Sequence, residues 1–406
     1  VTTSRRQFIT TSALAAASAL VPAPLTALAA PARRGPAEFR GGWVASVYNL
    51  DWPSRPGLSP AAAKAELIRL IDRMQALHMN AMIFQVRPNG DALYRSSIEP
   101  SSHWLTGSMG ARLSWDPLEV AVEECHRRGM ELHAWFNPFR ALSGLKKAPS
   151  RKHLSRRRPD WVRTMGKHIW FDPAEPGVQN HALKVITDVV RRYDIDGVHL
   201  DDYFYPYPKK KAGRRIEEFP DMHAFQKSGM TNRDAWRRAN INHFVKNLYH
   251  QVHETRQSVK VGISPFGIWR PGVPAGTNAM LDAYNDLAAD SHFWLRQGWV
   301  DYMSPQLYWA DGGEQSFSAL LQWWQSINPK GRHIWPGIDI TGERGHATSM
   351  VSRQVRITRT TRQAPAPGQV LWRTGQLLDS RKHIAQMLRR DLYNTPATIP
   401  PCPWLA

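Results

Sequence analysis

Cysteine is almost missing from this chain: its 406 residues include two, Cys125 and Cys402. A disulfide-stapled fold is thereby excluded. Cys125 continues an apolar stripe, Leu118, Ala121 and Val122, at helical spacing, so it reads as a buried structural thiol. Cys402 lies in a proline-rich tail, and nothing in the spacing indicates that the two pair. Long apolar runs are also missing, and beyond the first thirty residues none could span a bilayer. No phosphate-binding loop follows the first strand pattern, because Gly41-Gly42-Trp43 lacks the dinucleotide fingerprint. No Gly-x-Ser-x-Gly motif occurs, nor the His-x-His that barrel metallohydrolases commonly carry on their first strand. Acidic residues are outnumbered, 34 Asp and Glu against 53 Lys and Arg, for a formal net charge of +19.

What is present begins with a leader. Ser4-Arg5-Arg6-Gln7-Phe8-Ile9 is a twin-arginine pattern, an apolar stretch runs from Ala13 to Val21, and Ala27-Leu28-Ala29 offers a small-x-small cleavage site. Residues 1–29 are expected to be a twin-arginine signal peptide, and the mature protein to be periplasmic or secreted. Loss of Arg5 and Arg6 with that leader lowers the charge to +17. This balance favours contact with anionic polymers or surfaces. Export makes nucleic acid the least attractive of these. The densest basic runs, Lys146 to Arg158 and Lys209 to Arg215, contain few aromatics and no nucleic-acid motif. No nucleic-acid partner is expected, no membrane span and no cofactor; the pattern fixes no oligomeric state.

From Phe39 to about Trp372 short apolar strands alternate with amphipathic helices, the signature of a parallel α/β fold. Strands are expected at Phe39 to Val47, Ala81 to Val86, Glu131 to Phe136, Gly197 to Leu200, Lys260 to Ser264, Trp299 to Pro305, Ile334 to Ile338 and Gln369 to Trp372. Ser59-Pro60 predicts a capped helix with proline in its first turn, buried through Leu67, Leu70, Ile71, Met74 and Leu77. Further helices are expected over Asp116 to Arg128, Leu183 to Tyr193, Asn240 to Thr255, Asp282 to Leu295, Phe317 to Ile327 and Val351 to Arg362. Eight strands separated by helices make a (β/α)8 TIM barrel the economical fold, over residues 36–393, with a short Pro-rich tail at 394–406.

In such a barrel the chemistry lies at the C-terminal ends of the strands, and polar residues collect there. The richest stretch runs Asp196-Gly197-Val198-His199-Leu200-Asp201-Asp202-Tyr203-Phe204-Tyr205-Pro206-Tyr207-Pro208. Two adjacent acids beside aromatic walls are what cleavage of a glycosidic bond requires, with one carboxyl as acid and another as base or nucleophile. Strand alternation sets His199 and Asp201 on one face and turns Asp202 away, although the strand is ending and Asp202 can swing over the rim. Asp201, held ionised by a cation such as Arg87 or His199, suits base or nucleophile duty. The acid partner is sought in Asp202 or Asp91, with Asp339 and Glu343 behind them. Gln85, Arg87, Trp135, Asn137, Arg140, His199, Tyr203, Trp269, Gln306, Tyr308, Trp309, Trp335 and Trp372 are the expected substrate-binding residues. The chain has 17 tryptophans. Trp43, Trp52, Trp104, Trp135, Trp269, Trp309, Trp335 and Trp372 fall at or just past predicted strand ends, where indole can pack on the C–H faces of sugar rings; part of this set is expected to be core. His133 and His199 with Asp201 could ligate a metal, but read better as hydrogen-bonded barrel residues, so no metal site is assigned.

A series of words recurs in a fixed order: Arg40-Gly41-Gly42-Trp43, Asp51-Trp52-Pro53, Phe84-Gln85-Val86-Arg87-Pro88, Gly90-Asp91-Ala92-Leu93-Tyr94, Trp115-Asp116-Pro117-Leu118, His133-Ala134-Trp135-Phe136-Asn137-Pro138, Asp201 to Pro206, Ser264-Pro265-Phe266-Gly267-Ile268-Trp269 and Ser304-Pro305-Gln306-Leu307-Tyr308-Trp309. They resemble the bacterial glycosyl-hydrolase-like family 10 proteins, over about residues 38 to 372. The resemblance implies an exported TIM-barrel glycosidase, some of whose relatives cut peptidoglycan strands stripped of their peptides. It also implies a centre at Asp201 and Asp202, with Gln85, Arg87, Asp91, Asn137 and Gln306 lining the cleft. Trp335-Pro336-Gly337-Ile338-Asp339 departs from the family wording, and the leader carries no lipobox cysteine. The leading expectation is a glycoside hydrolase acting on a polysaccharide of the cell wall. A glycan-binding protein on a decayed barrel is the alternative, and a metal-dependent hydrolase a more distant one.

Overall fold

In the computed structural model of this chain, described over residues 35–143, 148–211, 214–342, 347–361 and 365–405, parallel strands and helices alternate as the pattern predicts. The leader, Lys146 and Glu343 lie outside the described residues. The barrel begins with β1 (Phe39–Val44), β2 (Ala81–Arg87) and β3 (Glu131–Phe136). Three antiparallel strands then form a small separate sheet: β4 (Arg140–Leu142), β5 (Val162–Met165) and β6 (His168–Phe171). The barrel resumes with β7 (Gly197–Leu200), and a two-stranded ribbon, β8 (Lys210–Lys211) with β9 (Arg214–Arg215), follows it. It is completed by β10 (Lys260–Ile263), β11 (Tyr302–Met303), β12 (His333–Ile334), β13 (Gly337–Asp339) and β14 (Gly368–Trp372).

The register shows how the barrel closes. β14 pairs with β1, β1 with β2, β2 with β3, β3 with β7, β7 with β10 and β10 with β11, all in parallel. β12 pairs with β11 and β13 with β14, so these two segments are the halves of one seventh strand. Trp335-Pro336 separates them; proline has no N–H to give to a ladder. The ring is held there by Val370 N donating to Pro336 O at 3.0 Å and Gly337 N donating to Pro305 O at 2.8 Å. The described fold is thus the expected TIM barrel.

Local chemistry sets the helix ends. Ser59 accepts from Ala62 N at 3.2 Å, with Pro60 in the first turn, and the helix Pro60–Ala76 buries Leu67, Leu70, Ile71 and Met74. Asp116 caps Pro117–His126 through Leu118 N at 3.1 Å. The single helix expected over Asp282 to Leu295 is instead two, Ala283–Asp286 and Ser291–Gln297, each started by its own Asp cap. Ala288, left-handed at φ 54°, breaks the chain between them. The sixth strand is shorter than expected because Trp299 follows the left-handed cap Gly298 and belongs to a loop. Cys125 and Cys402 are both free thiols, and Cys125 is buried. Among the described residues no helix is long and apolar enough to cross a membrane.

Aromatic rings dominate the barrel interior, where Phe39, Trp43, Trp135, Tyr302 and Trp335 pack with Ile83 and Val370. Phe39 stacks on Trp335 at 3.9 Å, and Tyr302 lies beside both. Glycines make the room: a Cβ on Gly262 would lie 1.9 Å from the Tyr302 ring, and one on Gly368 would lie 2.5 Å from Trp335. A chain of hydrogen bonds threads this layer. Trp43 Nε1 donates to His199 Nε2 at 3.1 Å, which leaves the His199 proton on Nδ1, facing Tyr302 Oη at 2.9 Å. Tyr302 in turn donates to His133 Nδ1 at 2.8 Å, and His133 Nε2 reaches Glu131 at 2.9 Å. Burial, with the nearby His133, holds the His199 imidazole well below its ordinary pKa, so it is neutral. At the opposite end from the site the Pro-rich tail covers the barrel: Glu38 N donates to Thr398 O at 3.0 Å, and Trp404 Nε1 to Asp301 at 2.7 Å.

Candidate active site

A cavity of about 650 Å3 opens at the C-terminal ends of the strands, within the range of about 300–1,000 Å3 usual for ligand sites. Its lining includes Trp43 from β1, Gln85 from β2, Trp135 from β3, Arg140 from β4, Asp201, Asp202 and Tyr203 from the end of β7, Ser264 after β10, Gln306 and Tyr308 after β11, and Trp372 from β14. The small antiparallel sheet and the loop after β1 complete the wall with Leu142, Lys167, His168, Trp170, Tyr48 and Leu50. Asp201 and Asp202 are the only carboxylates among these lining residues.

Because β7 ends at Leu200, the alternation that would turn Asp202 outward no longer applies, and both carboxyls line the cavity. Their surroundings differ. Asp201 Oδ2 accepts from Asn137 Nδ2 at 2.5 Å and Trp135 Nε1 at 3.2 Å, and Oδ1 accepts from Tyr203 N at 3.1 Å. Burial raises its pKa above the ordinary carboxylate value, while the Arg140 charge and these three donors oppose that rise. Asp202 is pushed up to about 7, by burial first and by the Asp201 charge second, despite the hydrogen bonds of Tyr207 and Gln306. Tyr207 Oη donates to Asp202 Oδ2. The pair is therefore split: Asp201 is the group equipped to be ionised, and Asp202 holds its proton near neutrality. Environments that push two carboxyls apart are what separates an acid from a base.

Second contacts fix Asn137. Gln85 Nε2 donates to Asn137 Oδ1 at 2.7 Å, while Gln85 Oε1 accepts from Ser46 N and Val47 N at 3.0 and 2.9 Å. Gln85 thus ties the loop after β1 to the residue that orients Asp201. Arg87 lies deeper. It pairs with Glu99 through Nε at 2.8 Å and Nη2 at 2.6 Å, and its Nη1 donates to Asn137 O at 2.6 Å. Against burial, Arg87 and His181 bring the Glu99 carboxyl down to about 2.

Several expected residues sit elsewhere. Asp91 is fully buried outside the cavity lining. The Asn89-Gly90-Asp91 turn, with Gly90 at φ 64°, sets it against Ser102 and Asn89 N, which donates at 3.1 Å. Burial and then the Glu99 charge, opposed by Ser102, leave Asp91 at about 6, away from any sugar in the cleft. Arg87 and His199 are not the cations beside Asp201; Arg140 is. Asn137 reaches the site only through Asp201. Trp335 is core, stacked on Phe39, and Trp52 and Trp104 are buried outside the lining. Trp269 stacks on Trp323 and lies tilted against His292, and Trp309 packs edge-on against Phe266; neither lines the cavity. Asp339 accepts from Thr341 N and Oγ1 at 2.8 and 2.7 Å and does not line the cavity. The tryptophans of the cleft are Trp43, Trp135, Trp170 and Trp372. The ring nitrogens of His133 and His199 are engaged by protein partners. Among the described residues no three His, Cys, Asp or Glu side chains converge as metal ligands.

Tyr48, Leu50, Lys167, His168 and Trp170 escaped sequence reading. Trp170 sits in a short apolar run, Ile169-Trp170-Phe171, close behind a basic run read as solvated loop, with no alternation to mark a strand.

A parallel barrel with acids and indoles at its carboxyl end defines the glycoside hydrolase-like TIM barrels. A model of the family described as glycosyl hydrolase-like 10 matches residues 38–342, and the chain belongs to that family. It is 39% identical over 384 residues to glycosyl hydrolase YngK of Bacillus subtilis (strain 168), covering 91% of this chain and 74% of that protein. It is 33% identical over 326 residues to glycosyl hydrolase DigH of Escherichia coli (strain K12), covering 74% of this chain and 72% of the relative. Among solved structures, the PgaB (BpsB) glycoside hydrolase domain from Bordetella bronchiseptica superposes with a TM-score of 0.57 at 14% identity, over 87% of this chain and 98% of that domain. The catalytic domain of β-amylase from Paenibacillus polymyxa gives 0.56 at 10% identity, over 84% and 94%. These two likenesses are of fold.

Proposed function

We propose that this protein is an exported glycoside hydrolase that cleaves a bacterial cell-wall glycan, peptide-free peptidoglycan strands in particular, with Asp202 as acid and Asp201 as its ionised partner. The observation that carries this reading is the split pair inside an aromatic-walled cavity. In the reaction Asp202 gives its proton to the glycosidic oxygen as the C–O bond breaks. Asp201 faces the positive charge that develops on the sugar and serves as base or nucleophile. Water completes hydrolysis, its oxygen joining the anomeric carbon and its spare proton returning to the pair. Family membership and relatives named glycosyl hydrolases support the chemistry. The twin-arginine leader, the basic charge and the family resemblance support export and a wall polymer. The decayed-barrel alternative is disfavoured by two intact carboxyls that carry different proton loads.

Asp201→Asn keeps the shape of the side chain and removes its charge. The variant is expected to fold, to bind glycan strands and to cleave none, measured by reducing-end release beside calorimetric binding. Cleavage at the wild-type rate would sink the assignment.

A further inference from the structure

Four arginines are buried to better than nine-tenths among the described residues: Arg40, Arg87, Arg140 and Arg237. Three are matched by a carboxylate, Arg40 with Glu38 at 2.8 Å, Arg87 with Glu99 at 2.6 Å and Arg237 with Asp221 at 2.8 Å. Arg140, 8% exposed, is the exception. Its guanidinium lies over the Tyr203 ring at 4.4 Å and nears Trp170 at 5.9 Å. Among the described residues that guanidinium makes no hydrogen bond and no ion pair, yet none of its nitrogens is among the sealed, unpartnered atoms of the interior. The residue lines the cavity, so its donors face that space. Asp201 feels its charge, but takes its hydrogen bonds from Asn137, Trp135 and Tyr203 instead.

Lys167 stands nearby, after the left-handed Gly166 at the turn between β5 and β6, exposed, lining the same cavity and without an ion pair among the described residues. Glu217, the acid beside this turn, is held by Lys209 at 2.7 Å. His168, next in the chain, also lines the cavity; burial, then Lys167, Arg140 and Lys209, lower its pKa, against the Glu217 charge. Arg140 and Lys167 are therefore two cations of one small sheet, turned into a cleft that offers neither a carboxylate at ion-pair distance.

We infer that Arg140 and Lys167 form a carboxylate subsite, and that the preferred substrate carries free carboxyl groups on its sugars. The inference rests on the glycosidase reading and specifies its substrate class. A neutral glycan that displaced water from this corner would leave a buried guanidinium unpaired, at a cost well above that of losing one ordinary hydrogen bond. A planar carboxylate fits the guanidinium fork with two parallel hydrogen bonds, its back held by the Tyr203 ring. In a peptide-free strand the lactyl group of each muramic acid ends in such a carboxylate, and an attached stem peptide converts it to a neutral amide. The same chemistry is offered by a uronic acid.

The test compares four probes: peptide-free strands of N-acetylglucosamine and N-acetylmuramic acid, the same strands with lactyl carboxyls converted to methylamides, chitin oligosaccharides of equal length, and a polymer alternating N-acetylglucosamine with glucuronic acid. The wild-type protein is expected to favour a carboxylate-bearing probe over the methylamide and chitin probes by about tenfold or more in kcat/KM, the scale of a charge-assisted contact. Preference for the lactyl or for the uronic probe identifies the carboxylate's source. Arg140→Gln is expected to abolish the ratio and Lys167→Ala, at an exposed position, to reduce it; an arginine that only tuned Asp201 would slow all probes alike and leave the ratio intact. Binding to the Asp201→Asn protein reads the preference independently of turnover. Selective binding without cleavage by the wild type would overturn the glycosidase reading and keep the subsite. Cleavage or binding of charged and neutral probes alike would overturn the subsite and keep the glycosidase.

Discussion

Asp202 gives the sharpest kinetic expectation. Its carboxyl stands at about 7, raised by burial and by the Asp201 charge, and it is the protonated form that can act as acid. As pH rises through that value the active fraction falls, so kcat/KM on glycan should decline about tenfold for each unit above pH 7. Asp202→Asn removes the proton donor and should cost about 10²–10⁴-fold on the natural linkage. What activity remains should lack the limb near pH 7. An aryl glycoside whose phenolate departs without protonation should lose far less in the same variant, whereas Asp201→Asn should lose both activities. Tyr207→Phe gives a finer probe. The Tyr207 hydroxyl donates to the Asp202 carboxylate and lowers its pKa, so its removal should move the alkaline limb to higher pH. Initial rates measured from about pH 5 to about pH 9 on both substrate types decide the matter. A wild-type profile flat across that range, or equal losses on both substrates in Asp202→Asn, would refute the assignment of Asp202 as acid.

Two stability predictions follow from the buried polar groups. Arg87→Ala leaves Glu99 buried with only His181 as a cationic partner and should destabilise the fold by about 3–5 kcal/mol, read by urea unfolding; a change within error would remove Arg87 from its bracing role. Tyr302→Phe strands His133 Nδ1 and His199 Nδ1 together and should cost about 1–3 kcal/mol for each group that finds no water, with the imidazole resonances of both histidines shifting in NMR spectra.

The barrel was readable because strand and helix periodicities alternate cleanly, and because caps such as Ser59-Pro60 and Asp116-Pro117 mark where helices begin. Asp201 was readable from its position after Leu200. Asp202 was harder: alternation argues only while a strand continues, and this one stops at Leu200, two residues earlier. Asp91 misled because a carboxyl in an Asn-Gly-Asp turn after a barrel strand can face either the cleft or the flank, and tertiary contacts with Ser102 decide. Tryptophan position was equally ambiguous. Trp335 and Trp372 both lie at strand ends, yet one stacks on Phe39 in the core and the other lines the cavity. Tyr48 lay out of reach for a different reason. It is left-handed at φ 56° and 54% exposed, a conformation that no local pattern for tyrosine predicts. The wall formed by β4 to β6 comes from strands of three or four residues, too short for periodicity to single out.

Hydrolysis of a glycan by this pair of carboxyls leaves a chemical mark in its products. Peptide-free peptidoglycan strands incubated with the protein in heavy-oxygen water, followed by mass spectrometry of the fragments, test it directly. Each new reducing end should carry one heavy oxygen, and the Asp201→Asn protein should produce no new ends. Strands that stay intact with the wild-type protein, or fragments whose new ends lack the label, would contradict it.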